Sequence, residues 1–402
     1  MVNGSFPEHY DILLVGAGLY NAVLAYRFHQ MGLTVCVVER RTGHEIGGNC
    51  ATETRDGIII HKYGAHIFHT SDKAAWEFAN KFAYFVPFIN SPVAIAEYEV
   101  DLDPRFGRGT TLKTEVYNLP FNMNTFAKIF GLHRPSDVAE KLKEETAPYI
   151  KETYKNLEEK ALSLVGPTIF HTLIEGYTEK QWGRSCNQLP PDIITRIPLR
   201  MVYDNNYFND TYQGIPAAGY SAWINAMYGN ATFYSGIDYI ENRAELDKIA
   251  DHIFYSGRVD EFFDFKYGKL DYRSLKFETV SYDTDNYQGV AVCNYTTKVR
   301  KYTRSIEHRH FMWKDDPQWA VKPNTTYVTY EYPADMSETN EPFYSVNDTK
   351  NNELYAKYAA ECPENVTFVG RLGMYRYNDM DDTIISALNM DLTNRRSQAH
   401  AI

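Results

Sequence analysis

The chain has 402 residues, enough for roughly two to three domains with sizeable cores. A net charge of −11 and a pI near 5.6 exclude a general nucleic-acid binder, whose affinity rests on clustered Lys and Arg, and leave room for a small anion held by a few converging arginines. Five cysteines (Cys36, Cys50, Cys186, Cys293, Cys362), odd in number and without a C-x-x-C pair, point to reduced thiols in a cytoplasmic protein instead of a disulfide framework.

The first eleven residues carry no Lys or Arg, so the apolar run after Asp11 lacks the basic start of a signal peptide. That run is also too short and too Gly-interrupted to span a membrane. The N-x-S/T triplets at Asn230 and Asn324 are read as chance. Asp11–Val15 reads as a short buried strand, Gly16-Ala17-Gly18-Leu19-Tyr20-Asn21 follows, and an apolar helix runs to Met31, stopped by Gly32. Thr34–Val38 is a second strand ending in Glu39, which makes a βαβ opening. In such a turn the first glycine, Gly16, allows the tight bend. The second, Gly18, lets backbone approach a pyrophosphate at the helix N-terminus. Asn21 stands where the fingerprint has its third glycine, so strand and helix should pack slightly less closely there. Glu39 is placed for a ribose hydroxyl. Arg40-Arg41 and then Gly47-Gly48-Asn49 come next. A second glycine pair so soon after the acidic residue resembles the FAD-binding amine-oxidase and mutase families, which makes FAD the expected cofactor.

Asp56-Gly57 marks a turn between extended segments. His61, His66 and His69 do not make a metal site: in an extended stretch His66 and His69 point to opposite faces. His308 and His310 would share a face but lack a third ligand. No metal is expected. From about Ser71 to Gln181 helical spacing dominates, with Val138, Leu142 and Ile150 on one face and Leu157, Ala161, Leu164 and Val165 on another. Gly166-Pro167 interrupts it, and Ile169, Phe170, Leu173, Ile174 and Tyr177 resume it. From about Phe277 to Tyr332, Tyr, Thr, Val and Phe with frequent turn residues read as antiparallel sheet. Val366–Val369 is a strand, Gly370–Gly373 a loop and Thr383–Met390 a helix. In many FAD enzymes a Gly-Asp at this strand end holds the ribitol; Gly370-Arg371 departs from that. The fold class is therefore α/β, α+β overall. A discontinuous Rossmann-type FAD-binding domain (1–75, 212–260 and 345–402) carries an inserted, mainly helical domain with a mobile substrate loop (76–195) and an antiparallel-sheet substrate domain (196–211 and 261–344).

Seven stretches, in order, are similar to the prokaryotic UDP-galactopyranose mutases over nearly the whole chain. They are Tyr63–Thr70 (YGAHIFHT, with Ala65 where that family usually has Pro), Gly176–Gly183 (GYTEKQWG), Arg196-Ile197-Pro198, Gly268–Leu275 (GKLDYRSL), Tyr302–Phe311 (YTRSIEHRHF), Glu341–Val346 (EPFYSV) and Phe368–Asp381 (FVGRLGMYRYNDMD). The resemblance implies a flavin-dependent isomerase of cell-surface polysaccharide biosynthesis that interconverts UDP-galactopyranose and UDP-galactofuranose. In that family N5 of the reduced flavin attacks the anomeric carbon and UDP departs. The sugar ring opens on the resulting covalent flavin N5–sugar adduct and recloses through another hydroxyl, with no net redox.

Carried over position by position, the resemblance gives Arg196 and Arg304 as the diphosphate arginines, which a leaving UDP needs as its negative charge grows. Trp182 and Tyr177 would flank uridine and sugar. Tyr207, Tyr344, Tyr377, Asp379 and Asn294 would be further substrate contacts, and His66 would lie against the flavin. Gly16, Gly18, Glu39, Arg40, Gly47, Gly48, Asn49, His66, Arg371, Met380, Asp381 and Thr383 complete the cofactor site. Asp381, Asp382 and Thr383 are candidate N-caps of the last helix, whose N-terminus would favour an anionic reduced flavin. The implied partners are a UDP-sugar, a reductant such as NAD(P)H or a cellular reductase, and a second copy of the chain in a homodimer. An FAD-dependent oxidoreductase of the amine-oxidase kind shares the opening but has no need for paired diphosphate arginines. A catalytically inactive FAD protein is the competing non-enzyme reading.

Overall fold

The computed structural model describes residues 8–43, 45–101, 105, 109–194, 199–313, 320–337 and 341–392. Its organising element is a five-stranded parallel sheet in the order Thr232–Ser235, Val35–Glu39, Tyr10–Val15, Ala250–Tyr255, Val366–Phe368. Strand residues alternate between the two faces. Ile12, Leu14, Val35 and Val37 pack with the helix Leu19–Gln30 and with the helices Tyr220–Tyr228 and Met380–Asn389. Leu13, Val15, Cys36 and Val38 pack with Tyr239, Leu246, Val259, Phe262 and Tyr358 on the other side. Both faces are covered, which is why these strands read as continuous apolar runs. Three of the five strands come from the second half of the chain, so the Rossmann unit is discontinuous, as expected.

Asp56 and Gly57 sit at φ +51° and +80° between the paired strands Thr52–Arg55 and Ile58–His61, a two-residue turn with both central residues left-handed. A second, seven-stranded sheet runs Tyr344–Ser345, Tyr272–Tyr282, Thr326–Asp335, Arg304–Glu307, Val292–Tyr295, Val93–Asp101, Thr110–Asn118. It is antiparallel except for the Val292–Tyr295 and Val93–Asp101 pair. The last two strands correct the expectation of a mainly helical stretch from 76 onwards: after the helix Lys73–Ala79 the next helix starts at Met123, and Val93–Asp101 and Thr110–Asn118 extend the sheet in between. Beyond it the helices Pro135–Thr146 and Leu157–Ile169 bury Val138, Leu142, Leu157, Ala161 and Val165 in a third core. Ile150 lies past the end of its helix and is exposed, and Leu164 is on the solvent side of its own. Gly166, left-handed, kinks the chain before Pro167, and a π-helical turn over Phe170–Ile174 leads into the helix Glu175–Trp182. Among the described residues no helix is long and apolar enough to cross a membrane. The five cysteines are all free thiols.

Candidate functional site

The strand Tyr10–Val15 delivers the glycine turn to the carboxyl end of the parallel sheet, where a cavity of about 590 Å³ opens. Gly16 adopts φ +93°, and a Cβ there would lie 2.4 Å from Ser256 Oγ. A Cβ on Gly18 would meet nothing within 4 Å: the turn opens on the cavity at the position meant for a phosphate. Gly47 bridges back to Gly18, so the second glycine pair is laid against the first. Glu39 is buried; one carboxylate oxygen accepts from Ala17 N at 2.8 Å and the other from Arg41 N at 2.9 Å. Asn21 does more than replace a glycine. Its amide donates to the carbonyls of Val15 (2.9 Å) and Gly16 (2.8 Å), clamping the turn, and its buried Oδ1 has no partner among the described residues. Gly16, Gly18, Glu39, Arg40, Gly47, Gly48, Asn49, His66, Arg371, Met380 and Thr383 all line this cavity.

The same cavity is lined by Tyr177, Tyr207, Asn294, Arg304, Tyr344, Tyr377 and Asp379, brought in from the helix Glu175–Trp182, the strands Val292–Tyr295 and Arg304–Glu307, and the segments around 207, 344 and 377. Arg304 gives Nε and Nη2 to one oxygen of Glu331, at 3.1 and 2.9 Å. Glu331 is fully buried and its other oxygen has no partner among the described residues. Burial works against the charge on Arg304, yet Glu331 outweighs it and holds the guanidinium pKa well above its ordinary value. Burial pushes the Tyr177 phenol up to about 12 and raises those of Tyr207 and Tyr344. These hydroxyls therefore remain protonated donors around a fixed cation, which suits a bound anion. Tyr344 and Tyr377 stack with centroids 6.0 Å apart, and Arg371 lies 4.7 Å over the Tyr377 ring.

His66 is fixed from two sides. Its backbone N–H donates to His61 Nδ1 (3.1 Å), and its own Nδ1 must donate to the Gly64 carbonyl (2.9 Å), because a carbonyl only accepts. That leaves Nε2 as the acceptor nitrogen. Burial lowers the pKa to about 4, with Arg371 and Arg304 acting in the same sense, so the ring is neutral at ordinary pH. His61 and His308 are buried and hydrogen-bonded in series, His61 N–H to His308 Nδ1 and His308 Nε2 to Thr329. His308 and His310 sit in a 3-10 turn and not a strand, so they do not share a face, and His310 turns to Asn286. Among the described residues no group of three or more His, Cys, Asp or Glu could hold a metal.

Three expected site residues stand apart. Arg196 lies outside the described residues. Trp182, at the C-terminal end of its helix, packs against the helical core and does not line the cavity. Asp381 is not at a cap: the last helix starts at Met380 with Asp379 as the preceding residue, and the Asp381 carboxyl turns to Thr70. The helix N-terminus nevertheless reaches the cavity through Asp379, Met380 and Thr383. Several residues that sequence reasoning missed are part of this site. Arg41 donates to the Gly48 carbonyl at 3.0 Å and lies 4.6 Å over the Tyr63 ring, shaping the second glycine turn. Arg40 pairs with Glu341. Tyr239, Arg258, Glu261 and Asn90 line the cavity, and Glu331 supports Arg304 from below. The motif EPFYSV contained Glu341, and adjacency to Arg40 was the one signal available for Arg41.

A parallel sheet with the glycine turn at its carboxyl end, opening on a cavity that also holds Arg304 among tyrosines, defines a Rossmann-type dinucleotide-binding enzyme. Residues 14–82 match the NAD(P)-binding Rossmann-like domain, and residues 172–377, just over half of the chain, match the UDP-galactopyranose mutase family. A probable UDP-galactopyranose mutase of Klebsiella pneumoniae is 36% identical over 383 residues, covering 94% of this chain and 93% of that protein. The dTDP-fucopyranose mutase of Escherichia coli is 32% identical over 94% of this chain and 96% of its own length. A UDP-galactopyranose mutase of Mycoplasma pneumoniae is 27% identical over 96% of this chain and 97% of its own. A crystal structure of a reduced UDP-galactopyranose mutase shares the fold, with TM-score 0.65 at 13% identity over 94% of both chains. The chain belongs to the UDP-galactopyranose mutase family, and it is an enzyme of the isomerase class.

Proposed function

We propose that this enzyme interconverts UDP-galactopyranose and UDP-galactofuranose with FAD as its cofactor, active when the flavin is reduced. The observation that supports this most is one cavity shared by two sets of groups: a dinucleotide cradle, and a half-buried arginine backed by a fully buried carboxylate and ringed by phenols. The residues present fit FAD. Gly18 leaves open space where a pyrophosphate needs it, Glu39 is within reach of a ribose, and the N-terminal end of the helix Met380–Asn389 meets the cavity with partial positive charge. When bound and reduced, the flavin supplies through N5 the nucleophile for exchange at the anomeric carbon, without net redox. The protein does the rest. Arg304, and in our reading Arg196, neutralise the diphosphate as UDP leaves. Tyr177, Tyr207, Tyr344 and Tyr377 donate and orient, Asn294 and Asp379 hold sugar hydroxyls, and the neutral His66 would offer Nε2 as a hydrogen-bond acceptor to the cofactor. A homodimer and an electron supply from NAD(P)H or a cellular reductase are part of the same proposal.

The test is to incubate reduced enzyme with UDP-galactofuranose and resolve the two sugar nucleotides, with dTDP-fucopyranose in parallel because one relative carries that name. UDP-galactopyranose is the expected product; turnover of the dTDP sugar alone would move the substrate assignment. Gly16→Ala is expected to lose flavin: the new methyl would sit 2.4 Å from Ser256 Oγ at a φ costing about 1–3 kcal/mol. The ratio of flavin to protein absorbance after purification measures this, and a wild-type ratio would contradict the cradle assignment. The stretch from Trp182 to Tyr207, which holds Gly183, Asn187, Pro190-Pro191 and Asn205-Asn206, connects two proposed substrate segments, and we propose that it closes over bound substrate. Limited proteolysis with and without UDP checks this; equal cleavage in both removes the lid.

A further inference from the structure

The function above needs Tyr177 on its helix and Arg304 on its strand to keep a fixed mutual position. They belong to different layers and are more than a hundred residues apart in the chain. Gly176 already brings the helix to backbone contact with the loop before Arg304, since a Cβ there would lie 2.4 Å from Thr296 O and 3.2 Å from Thr297 Cα. One side chain then crosses the junction. The Lys180 ammonium donates to the carbonyls of Tyr295 (2.8 Å), Tyr302 (3.0 Å) and Arg300 (3.2 Å). An ammonium has three N–H donors and all three are used.

The acceptors are not random backbone. Tyr295 ends the strand Val292–Tyr295, and Arg300 and Tyr302 lie on the loop that joins it to Arg304–Glu307; Asn294 and Arg304 on the two strands are cross-strand partners. Two ion pairs hold the same loop from other sides. Arg300 is bidentate to Glu97 at 2.6 and 3.0 Å, and Lys298 pairs with Glu179, one residue before Lys180. Lys180 itself does not line the cavity, whereas Tyr177, three residues earlier and on the same helical face, does.

We propose that Lys180 is a positioning residue for the mutase reaction: its ammonium locks the helix carrying Tyr177 to the hairpin whose strands carry Asn294 and Arg304, so that the substrate-facing groups of two layers are set as one unit. This rests on the function proposed above. Lys180→Met keeps the length of the side chain and removes every donor. It leaves three carbonyls short of a partner while the glycine contact and the ion pairs remain. Lys180→Arg keeps charge and donors.

The experiment measures the Kd for UDP by titration calorimetry and kcat/KM for UDP-galactofuranose in flavin-loaded wild type, Lys180→Met, Lys180→Arg and Lys180→Gln. Lys180→Met is expected to weaken UDP binding and lower kcat/KM by at least about tenfold, the scale at which small displacements of binding groups are felt, with flavin content and visible spectrum as in wild type. Lys180→Arg is expected to recover most of the loss. Lys180→Gln, with two donors, should fall between them and stands in if the methionine variant does not fold. In a cycle with Tyr177→Phe, the double variant is expected to lose less than the product of the single losses, because both act through one group. UDP affinity and kcat/KM within about twofold of wild type in a flavin-loaded methionine or glutamine variant overturn the proposal, since coupled residues differ by more than that. Independent multiplicative losses in the cycle overturn it as well. Failure of the wild type itself to bind UDP strikes the functional reading and not Lys180.

Discussion

Arg304→Ala is expected to lower turnover by about 10²–10³ while the protein keeps its flavin, the loss typical of removing one preorganised donor from a developing oxyanion. The geometry makes Arg304 a strong candidate for that size of effect. Its Nε and one Nη2 proton are committed to Glu331, which aims the plane of the guanidinium and leaves the remaining N–H groups for a ligand. The aiming carboxylate complicates the reading of an alanine variant. Glu331 is fully buried, and removing its cation strands a charge, a change that costs about 3–5 kcal/mol in folded proteins. The double variant Arg304→Ala/Glu331→Gln separates the two effects. It should regain thermal stability relative to the single variant and stay equally slow. Near-native kcat in the double variant would falsify a catalytic role for Arg304. Glu331→Gln alone keeps the arginine but loosens its aim, so a smaller loss in kcat/KM is expected from steady-state assay.

What could be read in the sequence divides along physical lines. The βαβ opening was legible because a strand buried on both faces must be apolar throughout and a tight turn beside a phosphate must be glycine. The Asp56-Gly57 hairpin was legible because two left-handed residues demand that chemistry. The strands Val93–Asp101 and Thr110–Asn118 were not, because much of their outer halves faces solvent and they carry Glu, Lys and Thr with little apolar alternation. The start of the last helix was placed three residues late, at Thr383, since nothing in Asn378-Asp379-Met380 marks a boundary except the Asp that precedes it. Glu331 and Lys180 were invisible for a different reason. A lone Glu in a Thr-Tyr strand and a Lys in a short polar helix read as solvated charges, and only the tertiary fold turns them inward onto partners 27 and 115 to 122 positions away. Motifs carried the tyrosines and Arg304 to the cavity. They could not show that Trp182, in the same motif as Tyr177, turns to the helical core.

Activity is expected to require reduced flavin and to consume no reductant stoichiometrically. The argument starts from what the cavity offers as a nucleophile. Cys50 lines it, but burial pushes the thiol pKa up to about 12, so thiolate is scarce. The phenols of Tyr177, Tyr207 and Tyr344 are raised too and remain neutral. Ser256 has its hydroxyl committed to the Val15 carbonyl at 2.6 Å, and among the described residues no base is hydrogen-bonded to it in the manner of an activated serine. His66 has an open nitrogen, yet its low pKa of about 4 makes it a weak base and a weaker nucleophile. Among the described lining residues there is no lysine. Exchange of a pyranose for a furanose must still break and remake a bond at the anomeric carbon; on the function proposed above the attacking electron pair comes from the cofactor and not from a lining carboxylate, and N5 is electron-rich only after reduction. The helix N-terminus formed by Asp379, Met380 and Thr383 would favour an anionic ring. The measurement is anaerobic: enzyme is assayed with its flavin oxidised, dithionite is then added, and sugar nucleotides and flavin absorbance are followed together. The oxidised enzyme should be silent, and the reduced enzyme should turn over many times with its spectrum unchanged. Full turnover by oxidised enzyme, or one flavin oxidised per product, would show instead that the nucleophile is elsewhere or that the reaction is a net oxidation.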